Sequence, residues 1–233
     1  MKDKEIKPGS AEPQLGTNIT VKKAELGRGV PGVWYSRGYL PHFDDISKLQ
    51  SITFRLADSL PQQKLQQLNE ELTSLPEDKL SIERRKRIEA WLDAGMGCCA
   101  LRHPEVAQTV QDTLLKFDGE RYRLISWCIM PNHVHVLIHP VTALGKIVQS
   151  WKSYTGRWAL AKNAELGLGV PGKAFWMREY WDRFIRDARH YDAVVEYIHN
   201  NPVKSGLCKA PQDWKWSSAN PGSAEPQLGL YSK

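Results

Sequence analysis

The chain has 233 residues, of which 41% are hydrophobic, enough for one well-buried domain with extensions and too few for two full-sized domains. A net charge of +6 and a pI near 9.1 favour an anionic partner. Cys98, Cys99, Cys128 and Cys208 form no C-x-x-C pair, the amino-terminal segment lacks the apolar stretch of a signal peptide, and no window approaches the roughly eighteen apolar residues of a membrane span. These features predict a cytoplasmic protein, away from membranes, and leave monomer and homodimer both open.

Residues 1–32 and 219–233 are rich in Gly, Pro, Ser and charge and read as mobile tails. One folded domain is expected between them, over 33–218. Its first clear element is SITFRLA, where Ile52 to Leu56 alternates like a strand. From Gln62 to Ala94 the chain turns to charged helix formers and predicts two helices with Pro76 between them and a stop at Gly95, a helical insertion over 62–94. A third helix is expected from Pro104 to about Phe117, before an Asp118-Gly119 turn.

Next, RYRLISWCI and HVHVLI flank Met130-Pro131-Asn132, the pattern of an antiparallel hairpin. Leu144, Ile147, Val148 and Trp151 recur at helical spacing, so residues 143–162 read as a helix. FWMREYWDRFI, from Phe175 to Ile185, is aromatic enough for a strand or an extended segment. A closing helix from Ala188 to Asn201 packs Tyr191, Val194, Val195 and Ile198 and is expected to stop at Pro202. Strands alternating with helices but joined by a hairpin predict an α+β fold with helices on one face of the sheet.

Two nonapeptides recur. PGSAEPQLG stands at Pro8–Gly16 and Pro221–Gly229, and AELGxGVPG at Ala24–Gly32 and Ala164–Gly172. With suitable codons, the in-frame reverse complement of AELGLGVPG reads PGNAEPQLG, which differs from the first repeat at one residue. We read the peptides as translated arms of one DNA element present in both orientations; gene codons that fail to complement would end that reading. The repeats are expected to sit in loops and tails, and neither they nor the helical insertion are expected to touch the site.

The chemistry concentrates in two places. His133 and His135 are one residue apart on a strand, so both imidazoles point to one face and can share a metal ion. Tyr197 and Asn201 are four apart on a helix, so a phenol and an amide oxygen share a helix face. Two imidazoles with an amide oxygen point to Mg²⁺ or Mn²⁺ with open positions for phosphate, whereas zinc would favour thiolates or a third histidine. His139 is that alternative third histidine, set aside because it adjoins Pro140 at the strand end. Tyr154 and Tyr180 are rival nucleophiles, but Trp158 and Phe184 occupy their i+4 positions.

Taken together, M-P-N-H-V-H, W-x-R-E-Y-W-D (Trp176 to Asp182) and Y-I-H-N-N-P-V-K-S-G-L (Tyr197 to Leu207) resemble the REP-associated tyrosine transposases, a branch of the single-tyrosine HUH (IS200-like) transposases. RGYLPHFD (Arg37 to Asp44) and ITFRLADSLP (Ile52 to Pro61) extend the likeness over about 33–218. The resemblance implies a ferredoxin-like HUH domain with a four- or five-stranded antiparallel sheet. It also implies His133, His135 and Asn201 as metal ligands and Tyr197 as the catalytic nucleophile. The implied activity is metal-dependent cleavage and strand transfer of single-stranded or hairpin (REP-like) DNA through a 5′-phosphotyrosine. The basic and aromatic residues Lys152, Arg157, Arg178, Arg183, Arg186, Trp176 and Lys204 are the expected DNA contacts, cations for phosphates and aromatic faces for unpaired bases. Two rivals remain: a catalytically silent DNA-hairpin-binding protein, and an unrelated hydrolase using His133, His135 and His139.

Overall fold

The computed structural model describes residues 33–36, 41–60, 62–72 and 76–223. The expected tails at 1–32 and 224–233 lie outside the described residues. Two short strands, β1 (Val33–Ser36) and β2 (Pro41–Asp44), pair with each other. The main sheet then uses β3 (Gln50–Arg55), β4 (Tyr122–Ile129), β5 (His133–Pro140) and β6 (Trp181–Phe184) in the order β4-β5-β3-β6, every neighbour antiparallel. That is the α+β sheet the sequence predicts, in a ferredoxin-like order.

Helix α1 (Gln62–Leu72) and helix α2 (Glu77–Asp93) follow β3, and α3 (Pro104–Lys116) leads into β4. The β4–β5 hairpin is followed by α4 (Leu144–Lys162), and α5 (Ala188–Lys204) follows β6. On one face, Ile52 and Phe54 of β3 and Val134, Val136 and Ile138 of β5 pack against Val110 and Leu114 of α3 and Ile147, Val148 and Trp151 of α4. A bulge between Leu124 and Ser126 resets the alternation of β4, so Leu124 and Trp127 both reach this core.

Helices occupy both faces, which corrects the one-face expectation. The crossover helices α3 and α4 share a face, but α5 lies on the other, with Ile198, Val194 and Val195 against Cys128, Met130 and Leu137. The reason is that the histidine face also carries Leu137, which with Cys128 and Met130 must be covered as fully as Val136 is on the other. The α1–α2 hairpin has its own small core of Leu60, Leu68, Leu72, Ile88 and Leu92, which rests on Trp181 of β6.

Other differences are local. Only Trp181–Phe184 of the aromatic segment pairs as a strand, while upstream Met177 N–H donates to Arg55 O and Ala57 N–H to Phe175 O. Helix α5 runs through Pro202 to Lys204 and does not stop before it. The proline removes one N–H, but Ser205 N–H still reaches Asn201 O, and Gly206 at φ +68° lets Leu207 N–H close on Pro202 O. The repeat copy Ala164–Gly172 is a loop as expected, but it is anchored: Leu168 and Val170 are buried in the main core and Asn163 brackets Val170 with two hydrogen bonds. Residues 219–223 are likewise held, with Ser223 Oγ donating to Ser217 O at 2.6 Å.

A polar clamp ties β2 to β6. His42 is buried, stacks on Tyr180 at 4.2 Å, and bonds Asp182 through Nδ1 and Glu179 through Nε2. Burial pulls the imidazole pKa down, but the hydrogen bonds and charges of Asp182 and Glu179 outweigh it and hold the value above the usual 6.5. A raised histidine pKa means the folded state binds the proton more tightly. The resulting stability is therefore fully present below pH 6.5 and lost as pH rises through the folded value. His42→Asn is expected to cost roughly 1–3 kcal/mol at pH 5.5 and markedly less at pH 9, measured by urea denaturation at both. An undiminished cost at pH 9 would show that the clamp owes nothing to charge.

Candidate active site

The hairpin turn sets the first half of the site. Met130 N–H donates to His133 O, and the Asn132 side chain is buried with its Nδ2 donating to Met96 O at 2.9 Å. That orients Asn132 Oδ1 toward His133 Nδ1, 2.7 Å away, so Nδ1 carries the proton and Nε2 presents its lone pair. Burial, with the charges of His135 and Arg55, pushes the His133 pKa well below its usual value, consistent with a neutral ring. His135 Nδ1 lies 2.8 Å from Thr53 Oγ1 on the neighbouring strand.

The two Nε2 atoms face each other at 2.9 Å. Helix α5 completes the group. Asn201 is fully buried with its amide 3.1 Å from His135 Nε2, and the Tyr197 ring meets His135 edge-on at 5.2 Å between centroids. Thus His133, His135, Tyr197 and Asn201 come together although two distant elements supply them.

The donor set fits a divalent cation. Asn201 Oδ1 is buried without a hydrogen-bond partner, beside two imidazoles whose outer nitrogens are already engaged. Among the described residues no three His, Cys, Asp or Glu side chains gather closely enough to hold an ion alone, so a cation held by His133 and His135 would take the Asn201 amide as its third protein donor. His139 stays on the strand, paired opposite Arg123, but four residues along it from His135, about 13 Å away. Distance along the strand, not departure from its face, removes it from the site. Tyr154 is 54% exposed on α4 and Tyr180 is buried on His42, so neither rival phenol approaches the histidines.

Two groups missed by motif reading also reach the site. Asp93, at the end of α2, places Oδ1 3.9 Å from His133 Nε2, so the insertion does not stand clear of the ligands as expected. Burial and the charge of Glu89 raise its carboxyl pKa to about 6, against the opposing charge of Lys204. Arg55 lies directly opposite His133 in the β3–β5 register and is buried. Burial and the charge of Arg84 lower its pKa to about 10, which leaves it charged at neutral pH. Strand alternation in ITFR carried a signal for Arg55, since Thr53 and Arg55 share the histidine face; nothing local to α2 carried one for Asp93.

The expected DNA contacts divide. Lys152, Arg157 and Arg178 line a groove of about 310 Å³ beside α4, on the far side of the sheet from the histidines. Arg183 and Arg186 are exposed around β6. Lys204 is at the site, its Nζ 5.1 Å from the Tyr197 ring centroid. Trp176 is not a base-stacking surface: it is 7% exposed, donates Nε1–H to Thr155 Oγ1 and packs edge-on to Phe54. Covering the sheet claims that ring.

Known proteins share sequence with this chain over the region that holds these residues. The IS200-like transposase family model matches residues 102–201. The chain is 26% identical over 126 residues to a REP-associated tyrosine transposase of Escherichia coli (strain K12), covering 53% of this chain and 69% of that protein. A Haemophilus influenzae protein provisionally given the same designation is 25% identical over 111 residues, covering 42% of this chain and 58% of its own length. A solved REP-associated tyrosine transposase bound to a REP hairpin aligns at TM-score 0.44 and 18% identity, over 73% of this chain and 76% of that one. Residues 102–201, the span that holds His133, His135, Tyr197 and Asn201, thus match the IS200-like transposase family model, and the chain is similar to the REP-associated tyrosine transposases.

Proposed function

We propose that the protein is a metal-dependent single-stranded DNA endonuclease and strand transferase that acts on palindromic, REP-like hairpin DNA through a 5′-phosphotyrosine intermediate. The observation that carries this reading is the convergence of the His133 and His135 Nε2 atoms, 2.9 Å apart, with the Asn201 amide and the Tyr197 ring on the same face. The relatives' designation supports DNA of the REP type as substrate.

His133, His135 and Asn201 would hold Mg²⁺ or Mn²⁺, which when bound draws charge from a non-bridging phosphate oxygen. Asn132 and Thr53 keep the imidazoles turned inward, so no reorganisation is needed when DNA arrives. The Tyr197 oxygen attacks phosphorus and gives up its proton to solvent. A Tyr–O–P bond forms, the P–O3′ bond breaks, and the departing 3′ oxygen takes up a proton. Bond count is conserved, so a 3′-hydroxyl can reverse the step and join the strand elsewhere without an energy cofactor. Lys204, beside the Tyr197 ring, lies where negative charge develops.

The test uses labelled single-stranded hairpins from the gene's own flanks, incubated with the protein and Mn²⁺, Mg²⁺ or EDTA and run on a denaturing gel. A metal-dependent covalent adduct is expected. Binding without an adduct across metals and hairpins would replace this reading with that of a silent hairpin-binding protein.

A further inference from the structure

We propose that Arg55 is a further residue of the cleavage centre, whose guanidinium takes the non-bridging oxygens of the phosphodiester presented to Tyr197; this rests on the function proposed above. Three observations converge. Cross-strand partners project to the same face of a sheet, and the register pairs Arg55 with His133 and Thr53 with His135. Arg55 therefore belongs to the histidine face, while its neighbours Phe54 and Leu56 belong to the opposite core.

Arg55 is 6% exposed, and among the described residues its one hydrogen bond goes to Ser59 Oγ at 3.0 Å. Ser59 in turn donates to Leu56 O at 2.7 Å, which fixes the acceptor and, through it, the guanidinium. The Trp181 ring, 5.6 Å away, supports the cation from the β6 side.

Third, among the described residues no carboxylate lies within ion-pair distance of it. The carboxylate that reaches the site, Asp93, approaches His133, and the charge of Arg84 acts on Arg55 repulsively. The fold neutralises other charges with care: His42 has two carboxylates, and even the exposed Arg87 is paired with Glu71 and Glu83. A desolvated guanidinium beside the histidines, with most of its five donors uncommitted to protein, matches the bidentate geometry of a phosphate. The bland alternative is that Arg55 only props the α1–α2 hairpin on the sheet through Trp181.

The two roles separate by coupling to phosphate charge. The scissile phosphate is first mapped from the Tyr197 adduct, and a labelled oligonucleotide is made with a neutral methylphosphonate at that position. Binding is then measured by fluorescence anisotropy in EDTA, comparing Tyr197→Phe with Tyr197→Phe/Arg55→Met. Met keeps the length and apolar packing of the side chain, and melting temperature reports the fold. The double variant should bind the natural oligonucleotide about 10-fold more weakly, yet bind the methylphosphonate as well as Tyr197→Phe does. Equal loss on both oligonucleotides, or no loss, overturns the proposal and leaves Arg55 a prop. Should Arg55→Met fail to fold, Arg55→Lys decides by the same comparison, because it keeps the charge and loses the fork. Absence of any adduct would instead remove the parent reading, and the Arg55 role with it.

Discussion

Tyr197→Phe should form no detectable covalent DNA adduct, a loss on the order of 10⁴-fold or more, while binding hairpin DNA within about threefold of the wild type. The loss is expected to be complete because neither of the rival phenols, Tyr154 and Tyr180, can substitute. Tyr154 is exposed on α4, on the opposite side of the sheet, and Tyr180 is stacked under His42. Phenylalanine keeps the ring that packs against His135 and beneath Lys204, so the fold should be undisturbed. Denaturing gels read the adduct and anisotropy reads binding. A hydrolase that activates water would cleave undiminished in this variant, and that result would discard tyrosine chemistry.

The second large effect concerns the histidines. His135→Ala removes the imidazole that touches His133, Asn201 and Thr53, and should weaken Mn²⁺ binding by about 100-fold or more, read from the free-ion signal in electron paramagnetic resonance. DNA cleavage should fall by about 10³-fold or more in parallel. Asn132→Ala, which frees His133 to rotate, should give a smaller loss of about 10- to 100-fold in metal affinity. Because His135 is buried and bonded to Thr53, His135→Ala should also cost about 1–3 kcal/mol of stability, so Mn²⁺ binding is read well below the variant's melting temperature. Unchanged Mn²⁺ binding would place the ion elsewhere and break the link between these histidines and the reaction.

The two candidate pairs of the site illustrate how far local pattern reaches. His133 and His135 face one way because a strand repeats every two residues, and Tyr197 and Asn201 share a face because a helix returns after four. Those relations survive whatever the rest of the chain does. The hairpin turn, the β3 alternation and the periodicity of α3, α4 and α5 are likewise properties of single elements, and they were legible for that reason.

What pattern could not supply depends on how elements pack. Trp176 and the exposed arginines look alike in a basic, aromatic segment, but the sheet takes the indole into its core and leaves Arg157 and Arg178 outside. The split of helices between faces followed from Leu137, Met130 and Cys128 needing cover, a demand visible only once β4 and β5 are paired. Pro202 reads locally as a stop, yet the carbonyls around it are satisfied by the turn at Gly206 and the helix continues.

By itself, then, the sequence determined the α+β class, the hairpin and the two pairs of reactive side chains, because each rests on a short backbone repeat. Only the tertiary structure decided that the two pairs meet, that Arg55 of β3 and Asp93 of the insertion stand beside them, and that Lys152, Arg157 and Arg178 line another face. Those outcomes follow from burial of apolar surface between elements far apart in the chain, and no local spacing encodes them.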